Sequence, residues 1–171
     1  MKIVLMGYMG SGKSTIGKSI AKKNNLEFID LDHYIELQEK QSINAIFKKK
    51  GEIYFRLQEA KYLQEILNSK TNFVLSLGGG TPCYANNTEV IAKSNVISIY
   101  LKAKIPTLHQ RLKNESSNRP LIASFSDEDL YEYIGKHLFE RAPFYEQADV
   151  NISIDEKSIE EICTEIQQQL H

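Results

Sequence analysis

Residues Gly7 to Ser14 read GYMGSGKS and fill every fixed position of the pattern G-x-x-x-x-G-K-[ST]. The run sits between four apolar residues, Ile3 to Met6, and a stretch with Ile16, Ile20 and Ala21 at helical spacing. A loop so placed, between strand and helix, turns successive backbone N–H groups and the positive end of the helix toward a phosphate. Glycines at 7, 10 and 12 let the backbone come close, where a side chain would block it. The Lys13 ammonium suits the β- and γ-phosphates, and the Ser14 hydroxyl suits a magnesium ion. Gly10, Ser11, Gly12, Lys13, Ser14 and Thr15 are therefore read as nucleotide-binding.

Other features narrow the kind of phosphate-loop protein. A GTPase needs D-x-x-G and N-K-x-D segments, and neither string occurs. A motor or transporter ATPase ends a later apolar strand with an aspartate, but here that run is VLSLGGG, with Ser76 in the acid's place. The acid must come from elsewhere, and the candidates are Asp30 and Asp32 of FIDLD, at the end of a second apolar run. Ligands of open α/β sheets gather at the carboxyl ends of strands, so one of the pair could hold magnesium and the other contact a substrate. A pair that merely stabilises a helix start is the alternative.

The elements that must position these residues follow from periodicity. Strands are expected at Ile3–Met6, Leu26–Ile29, Phe73–Leu77 and Val96–Leu101, with a fifth carried by the alternating Val150, Ile152 and Ile154. A helix from Ser14 to Lys23 follows the loop, and a last helix carries Ile159, Ile162, Cys163, Ile166 and Leu170 as one stripe, which makes Cys163 core packing. Strands alternating with helices predict an α/β fold with a parallel sheet. Two stretches depart from the rhythm. Residues 31–60 read as a helical excursion with Ser42 as cap, Ile43, Ile46 and Phe47 on one face, and Gly51 as a stop. Residues 112–125 are rich in Asn, Ser and Pro and read as a loop suited to a lid, ending where Ser126 and Asp129 offer a capping box to a helix carrying Leu130, Ile134 and Leu138.

Composition sets outer bounds. The 171 residues fit one domain, 1–171, with 42% hydrophobic and 25% charged residues. A net charge of −1 offers no broad basic field for nucleic acid or an anionic membrane, and no run is long enough to cross a bilayer. Cys83 and Cys163 stand far apart, outside any zinc or disulfide pattern. A cytoplasmic, monomeric protein is expected. Cys83 reads as a small loop residue, and the four histidines as residues of solvated faces without metal spacing.

The ordered motifs resemble shikimate kinase. GYMGSGKST, the D-x-D of FIDLD, YFRLQE with Arg56 and Glu59, LGGG at Leu77–Gly80, NRPL around Arg119, and ERAPFY with Arg141 and Tyr145 follow one another as in that family, except that Leu77 stands where threonine is common. The resemblance implies a three-layer sandwich of nucleoside-monophosphate-kinase-like, phosphate-loop NTPase fold, with a five-stranded parallel sheet, a substrate-binding excursion and a closing lid. It implies an ATP-dependent kinase with magnesium, acting on the 3-hydroxyl of shikimate. By the resemblance, Arg119 is a lid arginine over the triphosphate, Arg111 lies against adenine, and Glu59 belongs to the substrate site with Gly78, Gly79 and Gly80. The chemistry suits the assignment. Guanidinium forks on Arg56 and Arg141 match a carboxylate in a way lysine does not, and Asp32 can accept from hydroxyls and serve as proton acceptor, with Asp30 and Ser14 left for the metal. All four arginines, against seventeen lysines, stand at or beside these motifs. A kinase of similar architecture for gluconate or a nucleoside monophosphate, and a non-catalytic nucleotide-binding domain, are the rival readings.

Overall fold

A computed structural model describes residues 1–115 and 122–170. Five strands, β1 (Lys2–Met6), β2 (Glu27–Asp30), β3 (Phe73–Ser76), β4 (Ile97–Lys102) and β5 (Val150–Ser153), form one parallel sheet in the order β2-β3-β1-β4-β5. Seven helices lie among the described residues: α1 (Lys13–Asn24), α2 (Leu31–Glu39), α3 (Ile43–Asn68), α4 (Asn87–Lys93), α5 (Ile105–Glu115), α6 (Asp127–Tyr145) and α7 (Ile159–Gln169). With helices on both faces, this is the expected three-layer phosphate-loop architecture. The central strands are apolar through and through because both faces are covered: Ile3, Val4, Leu5, Phe73, Val74 and Leu75 are all fully buried.

Topology and register place the site. β1 lies between β3 and β4, so the chain leaves its carboxyl end at the point where strand order reverses, the crevice such sheets offer to ligands. Asp30 pairs with Ser76, and Ser76 with Leu5, so three strands end at one level. The acid of β2 therefore stands two strands from the phosphate loop at the same height.

Several boundaries differ from the apolar runs. β2, β3 and β4 each lie offset from the run that marks them, because Leu26, Leu77 and Val96 serve other ends. The Leu26 N–H donates to Ala21 O (2.9 Å) to close α1, the Val96 N–H turns to Ser94 O (2.9 Å), and Leu77 is buried past its strand's end. Gly51 does end a helix, as expected, but a second helix follows it without a gap and the two make up α3. With φ 83° and ψ 172° it breaks the helical path within α3, which resumes at once and runs to Asn68, beyond residue 60, burying Glu59, Tyr62, Leu63, Ile66 and Leu67. At the lid, Leu112 to Glu115 belong to α5, and Leu112 is fully buried against Gly10. The remainder, 116–121, lies outside the described residues, and Arg119 with it. The Ser126 hydroxyl caps α6 by accepting from the Asp129 N–H (3.2 Å), but the Asp129 carboxylate accepts from that hydroxyl (2.6 Å) instead of returning to the backbone of residue 126. A complete capping box occurs at α7, between Ser158 and Glu161.

Candidate active site

The phosphate loop is built on left-handed backbone. Gly10 and Gly12 have φ of 81° and 89°, which L side chains rarely adopt, and a Cβ on Gly7 (φ 149°) would stand 2.8 Å from Leu101 O. The loop wraps Lys13, whose ammonium donates to Gly7 O (2.8 Å) and Tyr8 O (3.0 Å) and is nearly buried. Ser11 is fully buried beneath, and Arg111 of α5 donates to Gly10 O (3.2 Å), bracing the loop from behind. The Ser14 hydroxyl donates to Asp30 Oδ2 (2.9 Å), while Asp30 Oδ1 accepts the His33 N–H (3.3 Å) as the cap of α2. Asp30 thus caps the start of α2 and at the same time bonds the Ser14 hydroxyl of the loop.

Beside the loop lies a cavity of about 420 Å³. Gly12, Lys13, Ser14, Thr15, Asp30 and Asp32 line it, with Arg111 on one wall and Gly78 and Gly79 on another. Lys157 and Ile159, from the turn into α7, line it too. Sequence reasoning missed both, since Ile159 was counted in the core stripe; it is 47% exposed, and only Ile162, Cys163 and Ile166 of that stripe are buried.

The triple glycine adjoins this cavity, and each of its members touches a different polar side chain. A Cβ on Gly78 would lie 2.9 Å from Asp32 Oδ1, one on Gly79 3.3 Å from Arg141 Nη1, and one on Gly80 2.8 Å from Arg56 Nη2. Gly79 also faces the phosphate loop, with Met9 N 3.5 Å from its Cβ position. Three charged groups from α2, α3 and α6 therefore meet one backbone segment. Arg56 and Arg141 lie outside the cavity's lining and stand against Gly80 and Gly79.

Arg56 and the glycine backbone are held from behind. Arg56 donates to Glu59 Oε1 (2.8 Å) and stacks over the Tyr84 ring at 4.0 Å, while Glu59 Oε2 accepts from Thr81 (2.7 Å) and is 1% exposed. Tyr145, fully buried, donates to Gly79 O (2.5 Å). Burial, then the carboxylates of Asp30 and Glu59, raise Asp32 to a pKa of about 6 against the pull of Lys13 and Arg56. Asp32 is thus poised to change charge near neutral pH.

Two further expectations meet the structure differently. Cys83 ends a 3-10 turn, Thr81–Cys83, and burial pushes its thiol up despite the pull of Arg141 and Arg56. The histidines are not all solvated. His33 is exposed, but His109 faces Asp127 (3.1 Å) and His137 Nδ1 is half-buried against the Tyr8 hydroxyl at 3.0 Å; His171 lies outside the described residues. Helix periodicity had shown where they fall along α5 and α6, not which neighbouring element covers them.

Comparison with known proteins places the whole chain. A family model described as shikimate kinase matches residues 9–171. The shikimate kinase of Flavobacterium psychrophilum is 48% identical over 165 residues, 96% of each chain. The solved shikimate kinase from Bacteroides thetaiotaomicron superposes with a TM-score of 0.92 at 36% identity, covering 99% of this chain and 98% of that one. Another, from Acinetobacter baumannii in complex with shikimate, superposes with a TM-score of 0.86 at 33% identity, covering 99% and 92%.

Proposed function

The chain belongs to the shikimate kinase family, and from that premise we propose how its residues divide the work of moving the γ-phosphoryl group of ATP to the 3-hydroxyl of shikimate. The activity yields shikimate 3-phosphate and ADP, on the route to chorismate and the aromatic amino acids. The observation that carries the site assignment is the triple glycine, which sets Asp32, Arg141 and Arg56 against one backbone segment beside the phosphate loop.

On this reading Arg56 and Arg141 hold the shikimate carboxylate by guanidinium forks, with Glu59 fixing Arg56. Asp32 accepts from the acceptor hydroxyl and orients it for in-line attack, and can take its proton. The backbone of Gly78, Gly79 and Gly80 lies along the ring. Gly10, Ser11, Gly12, Lys13, Ser14 and Thr15 cradle the phosphates, and Arg111 flanks the base. Lys13 offsets the charge that spreads over the transferred group. Arg119, assigned on sequence alone, shares that task from the segment 112–125, which we propose as the lid. The helical excursion beginning at residue 31 forms the acceptor side.

Magnesium fits the residues present. The Ser14 hydroxyl and Asp30 carboxylate stand 2.9 Å apart at the mouth of the loop, and among the described residues no cluster of three acidic, histidine or cysteine side chains offers an all-protein cage. That is the sparse donor set of an ion that keeps its waters and binds with nucleotide phosphates. When bound, the ion polarises the phosphates. We also propose that the chain works as a cytoplasmic monomer with ATP and shikimate as its only partners, without nucleic acid or membrane. The net charge of −1 supports this, and no described helix is long and apolar enough to cross a bilayer.

ADP release from magnesium ATP tests the reading, with shikimate added and with quinate, gluconate and nucleoside monophosphates in parallel. Stimulation by shikimate, lost with EDTA and with Lys13→Ala, is expected. Stimulation by another acceptor would discard the assigned pocket while keeping the kinase.

A further inference from the structure

Tyr8 occupies a free position of the phosphate-loop pattern, yet it is one of the largest side chains the fold buries completely, at 1% exposed. Its backbone and its side chain face opposite halves of the site. The carbonyl oxygen accepts from the Lys13 ammonium (3.0 Å) and from the Ser11 N–H (3.1 Å), so it belongs to the nucleotide half. The ring points to α6. There the phenol meets His137 Nδ1 at 3.0 Å, the imidazole stands edge-on at 5.5 Å and 90°, and the Arg141 guanidinium lies 6.0 Å from the ring centre. His137 and Arg141 are one turn apart on the same face of α6. Tyr133, a turn earlier, packs on the imidazole at 5.0 Å and in turn carries Phe125 at 5.0 Å.

From this arrangement we infer that His137 is a positioning residue for phosphoryl transfer. By holding the Tyr8 hydroxyl it fixes the spacing between the phosphate loop and Arg141, and so between the γ-phosphate and the acceptor. The inference rests on the assignment of Arg141 to the shikimate carboxylate. The pair is a neutral one. Burial holds the Tyr8 phenol protonated, and burial with the Arg141 charge, only partly offset by Glu140, disfavours a second proton on His137. Either tautomer of the neutral imidazole makes the bond, with the phenol donating to Nδ1 or accepting from Nδ1–H. No other partner of the Tyr8 hydroxyl occurs among the described residues.

The bond touches neither substrate, so its loss should leave both affinities nearly intact and disturb the attack distance, to which rate is steeply sensitive. The experiment is a double-mutant cycle of His137→Phe and Tyr8→Phe in the full chain, with kcat and both KM values measured. Each single variant is expected to lower kcat about tenfold with each KM within about twofold, and the double variant to fall no further than the worse single. His137→Asn, whose Oδ1 sits where Nδ1 does, should recover most of the loss. Wild-type kcat in Tyr8→Phe, or additive losses, would overturn the inference. So would a lower melting temperature with unchanged kcat, which would reduce His137 to packing. If His137→Phe does not fold, Tyr8→Phe and His137→Asn still read the same bond. The wild-type chain in the same assay separates this outcome from failure of the underlying reading, which would show as no turnover with shikimate at all.

Discussion

Gly80 has φ −90° and ψ −16°, a conformation alanine takes without strain, so its substitution is a test of space alone. The added methyl would stand 2.8 Å from Arg56 Nη2, the far end of a flexible side chain that can move aside. Gly80→Ala should therefore leave the melting temperature within about 2 °C while raising KM for shikimate about tenfold, the cost of turning one guanidinium from its carboxylate. An unchanged KM would release Arg56 from the acceptor site. Asp32 makes a second prediction. With its pKa raised to about 6, ionisation should set the acid limb of kcat/KM for shikimate near pH 6, and a limb at pH 4 would mean another group is needed. The sign for stability runs the other way from that of a salt-bridged carboxylate. The folded chain keeps a proton that the unfolded chain releases between about pH 4 and 6, so the ligand-free protein loses stability as pH rises through that window. Asp32→Asn should flatten this trend and add about 1–2 kcal/mol at pH 7, the partial exposure of the carboxylate discounting the full shift. Sequence could reveal Lys13, Ser14 and the two aspartates because a local loop and a strand end fix them. Thr81, Tyr84 and His137 escaped it, because each gains its role from a partner on a distant element.

At the scale of elements, the excursion depends on a bend that periodicity half revealed. Gly51 was legible as a break, since glycine interrupts a helical pattern, but no residue pattern showed that a second helix follows it at once. Its φ of 83° with ψ of 172° is close to exclusive to glycine, and a Cβ there would meet nothing within 4 Å. Gly51→Ala should thus cost backbone strain alone, about 1–3 kcal/mol, seen as a fall in melting temperature of roughly 3–10 °C. A fall under 1 °C would mean the bend is easily remade. The bend is clamped on both sides by Glu39 at the end of α2, whose carboxylate accepts from Tyr54 (2.8 Å) and Tyr62 (2.9 Å) and pairs with Lys50 (3.5 Å). The Tyr54 hydroxyl above all holds Glu39 below the usual carboxylate range. Arg56 and Glu59 follow within two turns, so the clamp aims them. In the sequence Glu39 looks like any solvated acid, and nothing in helical spacing distinguishes a carboxylate that has found its donors.

For the whole molecule, the alternation of strand and helix was legible throughout, and the five-stranded parallel sheet followed from the family the motifs resemble; the strand order comes from the structure. On the proposed assignment of the site, that order gives two half-sites made by separate elements. The nucleotide half comes from the loop after β1, with α5 and the start of α7; the acceptor half comes from α2, α3, the triple glycine and α6. They touch at Gly79 and Tyr8. Either ligand alone should then stabilise the fold, by about 2.7 kcal/mol at a hundred times its dissociation constant, or roughly 5–10 °C for a chain of this size. Lys13→Ala should lose most of the shift given by magnesium ADP and keep that given by shikimate, while Arg141→Leu should do the reverse. Thermal melts of the three chains with each ligand decide it. Loss of both shifts in either variant would mean that the halves form only together, and a full nucleotide shift in Lys13→Ala would remove its ammonium from the binding of the phosphates and leave it to the transferred charge.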